Sequence, residues 1–371
     1  MTTGKEFPML TAHRFRCWTL LMLLAWGGFL LPAAAQQPVP SVEDAKQVLR
    51  EAHAKSREAD TLEQYNEIIR LCQQASTMPL TDSLIEYERT LRSWAHNQRG
   101  EHYAEQAATL AKAGRNDAAA KLDSLGLREF ETAIQLNPDY WKAIHNRGVS
   151  RAVSRQFDLA LGDFSRVVEL KPDYVHAWFN RGEIYYEQGR FEEAAADYGR
   201  AIELTPEDAD LYARRGHAHF QFREFQQALA DYQRAVKLAP QNAEFLVSRG
   251  DANRRLGRWQ AAADDYMQAI NLDAKSGLAY QAAAWLMATC PDSKLRNTDL
   301  ALRAAQQARE LLGRRDYRGL STMAAALANA GDYAQAEEMQ TEALEVAPPE
   351  ESEDAQKRLE LYQQQRPYRE Q

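Results

Sequence analysis

The sequence predicts an all-α solenoid of stacked antiparallel helix pairs, because four kinds of position recur through its middle at a spacing of 34 residues. They are a glycine (Gly148, Gly182, Gly216, Gly250), an alanine (Ala160, Ala194, Ala228, Ala262), an aromatic residue (Phe164, Tyr198, Tyr232, Tyr266) and a proline (Pro138, Pro172, Pro206, Pro240). No segment alternates apolar and polar residues with the period of a strand. A helical unit of this length cannot bury its apolar face alone, so neighbouring units must stack and share one core.

Each repeat contains the signals of two helices and a turn. The glycine and the alanine stand where two backbones approach closely, and the aromatic side chain fills the next layer. The stretch "EQGRF", residues 187–191, interrupts the helical pattern at its glycine, and the proline closes the unit because it cannot continue a helix interior. This pattern places four regular units within residues 141–276, at 141–174, 175–208, 209–242 and 243–276.

The pattern loosens after residue 276 but stays helical. Residues 277–316 predict a fifth, irregular unit, in which the insertion "PDSKLRN" precedes the second helix. Residues 317–349 predict a sixth unit with "NAGDY" as its turn. Residues 350–371 predict a charged capping helix and a tail, of the kind that keeps the end of a solenoid soluble.

The segment before residue 141 predicts one helical pair followed by an atypical repeat. Ser41 and Asp44 have the spacing of a capping box, so we expect a helix to start there, and residues 61–75 predict a second amphipathic helix. Residues 36–106 should hold these helices and the first helix of the atypical repeat, and residues 107–140 should hold its remainder. Gly114, in "KAGRND", predicts a longer irregular connection within that repeat.

Every regular unit carries an arginine just before its glycine and an aspartate 16 residues later. The pairs are Arg147 and Asp163, Arg181 and Asp197, Arg215 and Asp231, and Arg249 and Asp265. Because a buried charge must be paired, we interpret them as structural pairs between the two helices of one unit rather than as ligand contacts. Such a pair fixes helix orientation more than it adds stability.

The second regular unit resembles the tetratricopeptide repeat (TPR) family nearly letter for letter. The matching residues are Trp178, Gly182, Tyr185, Ala194, Tyr198 and Pro206, as in the family pattern W-x₂-L-G-x₂-Y…A-x₃-F…P. The arginine before the glycine departs from the leucine of that pattern. The stretch "AWLMATCPDSKLRN" resembles a segment of exported bacterial TPR proteins. The resemblance implies a TPR superhelix whose concave groove binds a protein or peptide partner.

The resemblance also implies which residues face the groove, because the first helix of a TPR unit lines it. In the first regular unit the implied positions hold Lys142, His145, Asn146, Val149, Ala152 and Val153. The candidate partner-binding residues of the first three units are His145, Asn146, His176, Phe179, Asn180, Glu183, Tyr186, His217 and Phe220. Aromatic and adaptable polar side chains are typical of binding surfaces. A merely solvated face is the alternative interpretation.

Two specialised TPR grooves find little support at these positions. The groove that clamps a C-terminal carboxylate uses lysine and asparagine where this chain has His145 and Val149, so that function is disfavoured. Asn146 and Asn180 match two rungs of the asparagine ladder that binds a peptide backbone, but Arg214 interrupts the ladder.

The sequence contains no motif that carries chemistry. It has no glycine-rich phosphate loop, H-E-x-x-H, G-x-S-x-G or C-x-x-C, so we expect neither catalysis nor a cofactor. Three histidines, His145, His176 and His217, are assigned to the groove, but no spacing enforces metal coordination there. We therefore predict a non-catalytic interaction scaffold or adaptor. The alternatives are a structural component of a cell-envelope assembly, acting through its convex face or by self-association, and an accessory subunit of an enzyme complex.

The first 35 residues have the organisation of a secretory signal. A basic start precedes an apolar core at residues 17–31, which is shorter than the about 20 residues of a membrane span, and small residues follow up to Ala35. We expect cleavage near Ala35 and export to the periplasm or the medium of a Gram-negative-type bacterium. An uncleaved anchor is the alternative.

The net charge argues against a nucleic-acid-binding protein, and the cysteines argue against a disulfide or a zinc site. The formal net charge is −8, and loss of residues 1–35 removes three basic residues and one acidic residue, which makes it −10. We expect no nucleic-acid partner, because the chain lacks the positive field that nucleic acid requires. Cys72 and Cys290 are far apart in the sequence, so we expect two separate buried thiols rather than a disulfide or a zinc site.

Overall fold

The computed structural model describes residues 39–370, and within this range it contains seventeen α-helices and no strand, which confirms the all-α prediction. The helices are α1 Val42–Ser56, α2 Leu62–Ser76, α3 Asp82–Lys112, α4 Asn116–Leu136, α5 Trp141–Val153, α6 Phe157–Leu170, α7 Val175–Glu187, α8 Phe191–Leu204, α9 Ala209–Gln221, α10 Phe225–Leu238, α11 Ala243–Arg255, α12 Trp259–Leu272, α13 Gly277–Thr289, α14 Thr298–Leu312, α15 Tyr317–Ala330, α16 Tyr333–Glu345 and α17 Ser352–Gln363. The predicted secretory signal, residues 1–35, lies outside the described residues. Of the helices described, none combines the length and the apolar character needed to cross a membrane.

Local capping fixes where the first two helices begin. The Ser41 hydroxyl accepts from the Asp44 N–H at 3.2 Å, and the Asp44 carboxylate accepts from the Ser41 N–H at 2.8 Å, which confirms the predicted capping box. Thr61 and Gln64 form the same arrangement at the start of α2. Each box satisfies backbone donors that a helix otherwise leaves unpaired at its start.

The prediction of an irregular connection at Gly114 is wrong. α3 continues to Lys112 and α4 starts at Asn116, so three residues separate helices of 31 and 21 residues. Gly114 has φ +72°, a left-handed conformation in which glycine closes a tight turn. The flanking stretches "EQAATLAKA" and "NDAAAKL" are rich in strong helix formers, and this propensity extends both helices. The predicted boundary between residues 106 and 107 therefore falls inside α3.

From α5 onward consecutive helices pack in pairs, which we number as units. Units 1 to 6 are α5–α6, α7–α8, α9–α10, α11–α12, α13–α14 and α15–α16. In units 1 to 5 the second helix packs between the first helix of its own unit and that of the next, and in unit 6 α16 packs between α15 and α17. First helices also contact one another: α5 contacts α7, and α9, α11, α13 and α15 contact in series. The first helices of the six units therefore form the inner, concave face.

One layer of the core recurs in every regular unit, where a glycine of the first helix faces an aromatic ring of the second. The rings, which are at most 1% exposed, belong to Phe164, Tyr198, Tyr232 and Tyr266. A Cβ atom at Gly250 would lie 2.5 Å from the Tyr266 ring, and one at Gly182 would lie 3.0 Å from the Tyr198 ring. Glycine occupies these positions because the ring fills the space of a side chain.

The turn between the two helices of each regular unit contains one left-handed residue. These residues have φ values from +58° to +74° and are Arg155, Gly189, Arg223 and Gly257. Glycine adopts this conformation without a steric penalty, whereas arginine is strained in it. The glycine signal of the sequence therefore marks two of the four turns, and arginine makes the other two.

Both cysteines of the described range are free and buried, which confirms the prediction of separate thiols. Cys72 lies in the core between α1, α2 and α3, and burial raises the pKa of its thiol to about 12. Cys290 follows the last residue of α13.

Candidate binding groove

The repeated arginine and aspartate form a bidentate pair in each regular unit. The donor–acceptor distances are 2.5–3.1 Å for Arg147–Asp163, Arg181–Asp197, Arg215–Asp231 and Arg249–Asp265. The aspartate side chains are 5–7% exposed and the arginine side chains 16–28%. Each pair joins the first helix of a unit to its second helix, so these eight residues hold the scaffold together.

A third side chain completes two of these pairs. In unit 1, Arg151 donates to Asp163 at 2.7 Å. In unit 4 the corresponding residue is Asn253, which donates to Asp265 at 3.1 Å. The carboxylate of unit 1 is therefore held by two arginines, and that of unit 4 by one arginine and an amide.

The two candidate asparagines bond to the preceding helix pair. The Asn146 amide donates to Asn97 at 3.0 Å and to Glu101 at 2.7 Å, both on α3. The Asn180 amide is hydrogen-bonded to Nε2 of His145 at 3.1 Å. Both asparagines therefore link neighbouring helix pairs along the inner face.

The three candidate histidines do not meet in one cluster. His145 and His176 flank the ring of Tyr174, with centroid distances of 5.0 and 5.4 Å. Nδ1 of His217 is instead hydrogen-bonded to the Tyr232 hydroxyl at 2.9 Å. Burial lowers the pKa of both His145 and His217, which favours their neutral forms. Within residues 39–370 no group of three His, Cys, Asp or Glu side chains is placed to hold a metal ion.

Glu183 joins units 2 and 3. It accepts from the Tyr198 hydroxyl at 2.5 Å and forms an ion pair with Arg214 at 3.3 Å. Its side chain is 34% exposed, so part of the carboxylate faces the groove.

The candidate aromatic residues are half-buried and pack against their own units. Phe179 lies 6.1 Å from the Tyr198 ring, and Tyr186 lies edge-on to Phe191 at 5.3 Å. Phe220 makes the equivalent edge-on contact in unit 3. These rings therefore contribute to the core as well as to the floor of the groove.

An open hollow of about 320 Å³ lies on the inner face of units 1 and 2. We define the hollow by its lining residues, which are Val149, Ala152, Val153, Phe157, Phe164, Asn180, Glu183, Ile184 and Glu187. Val149 and Val153 are 36% and 70% exposed. The resemblance implies that both valines face the groove, although the sequence predicts no contact of either with a partner. The sequence alone does not indicate whether a valine on a helix is buried or exposed.

Family models match two overlapping stretches of the chain. One, a TPR repeat model, matches residues 182–221, and the other, a tetratricopeptide repeat model, matches residues 214–279. The chain is a TPR protein. No curated protein matches its sequence.

The solved structures similar to this TPR protein have low sequence identity to it. A tetratricopeptide repeat protein from Parabacteroides merdae is 13% identical, with 71% of this chain and 98% of that one aligned at a TM-score of 0.54. PilF of Pseudomonas aeruginosa is 15% identical over 60% of this chain and 96% of its own, at a TM-score of 0.47. The first of these likenesses supports the solenoid fold.

The inner face of units 4 to 6 of this TPR protein is covered by its own residues 364–370, which we call the tail. The tail follows α17 and bonds to residues of α11, α13 and α15. Sequence patterns did not predict this contact, since the tail has no periodicity and one of its partners, Trp285, lies 85 residues away from Glu370.

Proposed function

We propose that this TPR protein is a non-catalytic scaffold that binds a segment of a partner protein along the concave groove of units 1 to 3, with the hollow as the anchor point. TPR proteins bind protein partners. The observation that carries the proposal is the exposure of Val149 and Val153 in an open hollow on the inner face. When a partner protein binds, one of its apolar side chains can pack against apolar side chains that line a concavity, and both are then buried.

The lining of the hollow favours an apolar side chain next to a basic residue. An aliphatic side chain of leucine size gains about 1.5–3 kcal/mol when it is fully buried. Glu183 and Glu187, on the opposite wall, accept hydrogen bonds from a lysine, an arginine or a peptide N–H. Arg155 contacts Glu187 at 3.9 Å, and both side chains are exposed, so a cation of the partner replaces this pair at little cost.

The test is selection of peptides from a displayed library on the immobilised protein, followed by titration of the selected peptides. We expect peptides with an aliphatic residue beside a basic one. The double substitution Val149→Gln and Val153→Gln should weaken their binding about tenfold or more, because a polar lining removes the apolar contact. Glutamine is a good helix former, so α5 and the melting temperature should be unaffected.

Leu159→Gln is the matched control for this variant. Leu159 lies on α6, the outer helix of unit 1, and is 53% exposed. Its substitution should leave peptide binding unchanged. Peptides that bind the double-valine variant as well as the unaltered protein would place the site outside the hollow and refute the proposal.

Phe179→Ala with Tyr186→Ala is a less specific test. Both side chains are packed around the buried ring of Tyr198, so their truncation removes core contacts and lowers stability. The two valines avoid this ambiguity because they are exposed.

We also propose that the protein is exported, on the basis of the signal-like organisation of residues 1–35. Expression of the whole chain in a Gram-negative host, with fractionation and determination of the mature N-terminus by mass spectrometry, tests this. The expected product starts near Gln36 and is found in the periplasm or the medium. A product that keeps residues 1–35 in the cytoplasm would refute it.

A further inference from the structure

The tail leaves α17 through a strained turn. Gln365 has φ +57°, a left-handed conformation that is unfavourable for a residue with a side chain. The Arg366 N–H donates to the carbonyl of Leu361 at 2.9 Å and closes the turn. The residues that follow, 366–370, are not helical and cross the inner face.

Two backbone carbonyls near the end of α13 receive the tail. The Glu370 N–H donates to the carbonyl of Thr289 at 3.0 Å, and the Arg369 guanidinium donates to that of Ala288 at 2.9 Å. A helix leaves such carbonyls without intrahelical donors at its C-terminus. Any peptide backbone can supply the first of these bonds, so this part of the surface recognises a peptide rather than one side chain.

Side chains of the tail contact groups from three units. The Glu370 carboxylate accepts from the Trp285 indole N–H at 3.0 Å and from the Arg254 guanidinium. The side chains of this ion pair are only 11% and 17% exposed. Arg369 also donates to Asn329 of α15 at 2.9 Å. A charge-assisted and largely desolvated contact of this kind selects for a carboxylate.

Tyr368 is the aromatic anchor of the tail. Its ring centroid lies 5.8 Å from that of Trp285. The Arg358 guanidinium lies 5.5 Å from the Trp285 ring and 5.9 Å from the Tyr368 ring, within the range of cation–π attraction. An aromatic anchor, backbone hydrogen bonds and a paired carboxylate are together the elements of a peptide-binding site.

The seated tail fits this surface imperfectly. One carboxylate oxygen of Glu370, Oε2, is buried and has no hydrogen-bond partner among the described residues. The turn at Gln365 adds strain to the seated state. The connection to α17 nevertheless favours the tail, because a tethered ligand has a high effective concentration. A ligand without this turn avoids the strain.

We propose that the inner face of units 4 to 6 is a second peptide-binding site, which the chain's own Tyr368, Arg369 and Glu370 occupy in cis. Its ligand in trans is a segment of a partner protein with an aromatic residue, a basic residue and a glutamate in succession. The tail competes with that segment and limits its binding. This site goes beyond the proposed function, since it shares no residue with the hollow and selects an aromatic side chain and a carboxylate, which the hollow does not.

The test compares the full chain with a full-chain variant in which Tyr368→Ala and Glu370→Ala release the tail. The probe is a fluorescein-labelled peptide of residues 364–371, QQRPYREQ, whose anisotropy reports binding. The released-tail variant should bind it about tenfold or more tightly than the unaltered chain, because the tethered competitor is gone. Addition of Trp285→Phe, which keeps a ring but removes the N–H, should weaken binding again.

A probe with alanine in place of its tyrosine and glutamate is the control and should not bind. Equal binding of the probe to the unaltered and released-tail chains would overturn the competition. No binding to a released-tail variant that keeps its helical circular dichroism would overturn the site.

If the released-tail variant does not fold, hydrogen exchange of the Glu370 amide in the unaltered chain decides. Slow exchange supports the seated tail, and exchange as fast as in the free peptide refutes it. The variant with Val149→Gln and Val153→Gln, combined with the released tail, should bind the probe normally. This result separates the second site from the hollow.

Discussion

The inner faces of units 1–2 and of units 4–6 rest on a common framework of packed helix pairs, but one is open and the other is filled. Units 1, 2 and 4 have the same arginine–aspartate pair and the same contact between a glycine and a buried ring. In the first region Val149 and Val153 border an open hollow. In the second, Arg254 and Trp285 hold the tail. The framework therefore sets the spacing of the helices, and a few inner side chains decide whether the groove is free.

Breaking the shared pair in each region should have the largest effect. Asp163→Ala and Asp265→Ala should each lower the free energy of unfolding by about 3 kcal/mol or more, because each leaves a partly buried arginine unpaired. Asp163→Ala should be the more harmful, since it leaves both Arg147 and Arg151 without their carboxylate. Urea denaturation followed by circular dichroism measures both.

Glu203→Ala is the control for these two variants. Glu203 pairs with Arg200 at the surface, where the side chains are 61% and 64% exposed, so its loss should change stability by less than about 0.5 kcal/mol. Aspartate variants that resemble this control would show that the pairs do not hold the scaffold. If Asp265→Ala lowered the free energy of unfolding more than Asp163→Ala, the expected order of the two variants would be wrong.

The glycine–ring contact should show a smaller difference between the regions. Gly250→Ala should destabilise the protein by about 1–2 kcal/mol, because the new methyl group would lie 2.5 Å from the buried Tyr266 ring and overpacking outweighs the helix propensity that alanine gains. Gly182→Ala meets the Tyr198 ring at 3.0 Å and should cost less. Thermal melting of both variants is the measurement, and equal melting temperatures would show that the tighter contact in unit 4 has no energetic effect.

Low pH should destabilise units 1 to 3 more than units 4 to 6, because in residues 39–370 no histidine follows His219. Burial lowers the pKa of His145, opposed in part by the hydrogen bond that its Nδ1 donates to the side-chain oxygen of Asn146. Burial together with the charge of Arg214 lowers the pKa of His217. Below the ordinary histidine pKa of about 6.5 the unfolded state therefore binds protons that the folded state does not. The stability that depends on these neutral histidines is complete above that pH and is lost as the pH falls towards the lowered values.

Hydrogen exchange at pH 7.5 and 5.5, corrected for intrinsic rates, checks this. Units 1 to 3 should lose protection at the lower pH, and units 4 to 6 should keep theirs. His217→Gln, which cannot be protonated, should reduce the loss in unit 3. Equal loss of protection in all six units would contradict the expectation.

The left-handed turn residues should give the smallest effect. Arg155→Gly, beside the hollow, and Gln365→Gly, at the start of the tail, each relieve strain of about 1–2 kcal/mol but increase the entropy of the unfolded chain. We expect each to stabilise the protein by at most about 1 kcal/mol, as measured by urea denaturation. A loss of stability in either variant would show that the native side chain makes a contact worth more than the strain.

The sequence predicted the features that repeat or that depend on neighbours in the chain. The 34-residue spacing locates the helix pairs, and four co-occurrences identified the partner of Arg147 and its counterparts. The sequence did not predict features that depend on competition between local signals or on contacts between residues far apart in the chain. Helix propensity overcame the turn signal around Gly114, and the partners of Glu370 lie on helices far away in the sequence. The hollow is open because no other part of the described chain covers Val153, and a pattern of residues in the sequence does not indicate this.

The arginine–aspartate pairs have a consequence for how such a chain can change. Each pair is closed within one unit, so duplication or deletion of a whole 34-residue unit leaves every pair intact. Other side-chain contacts cross the boundary between units, among them Asn180 with His145, Arg181 with Ser165 and Arg214 with Glu183. A transplanted unit must match its new neighbours at these side chains and at the apolar surfaces that adjoining units bury together, but its own arginine–aspartate pair needs no residue from outside the unit.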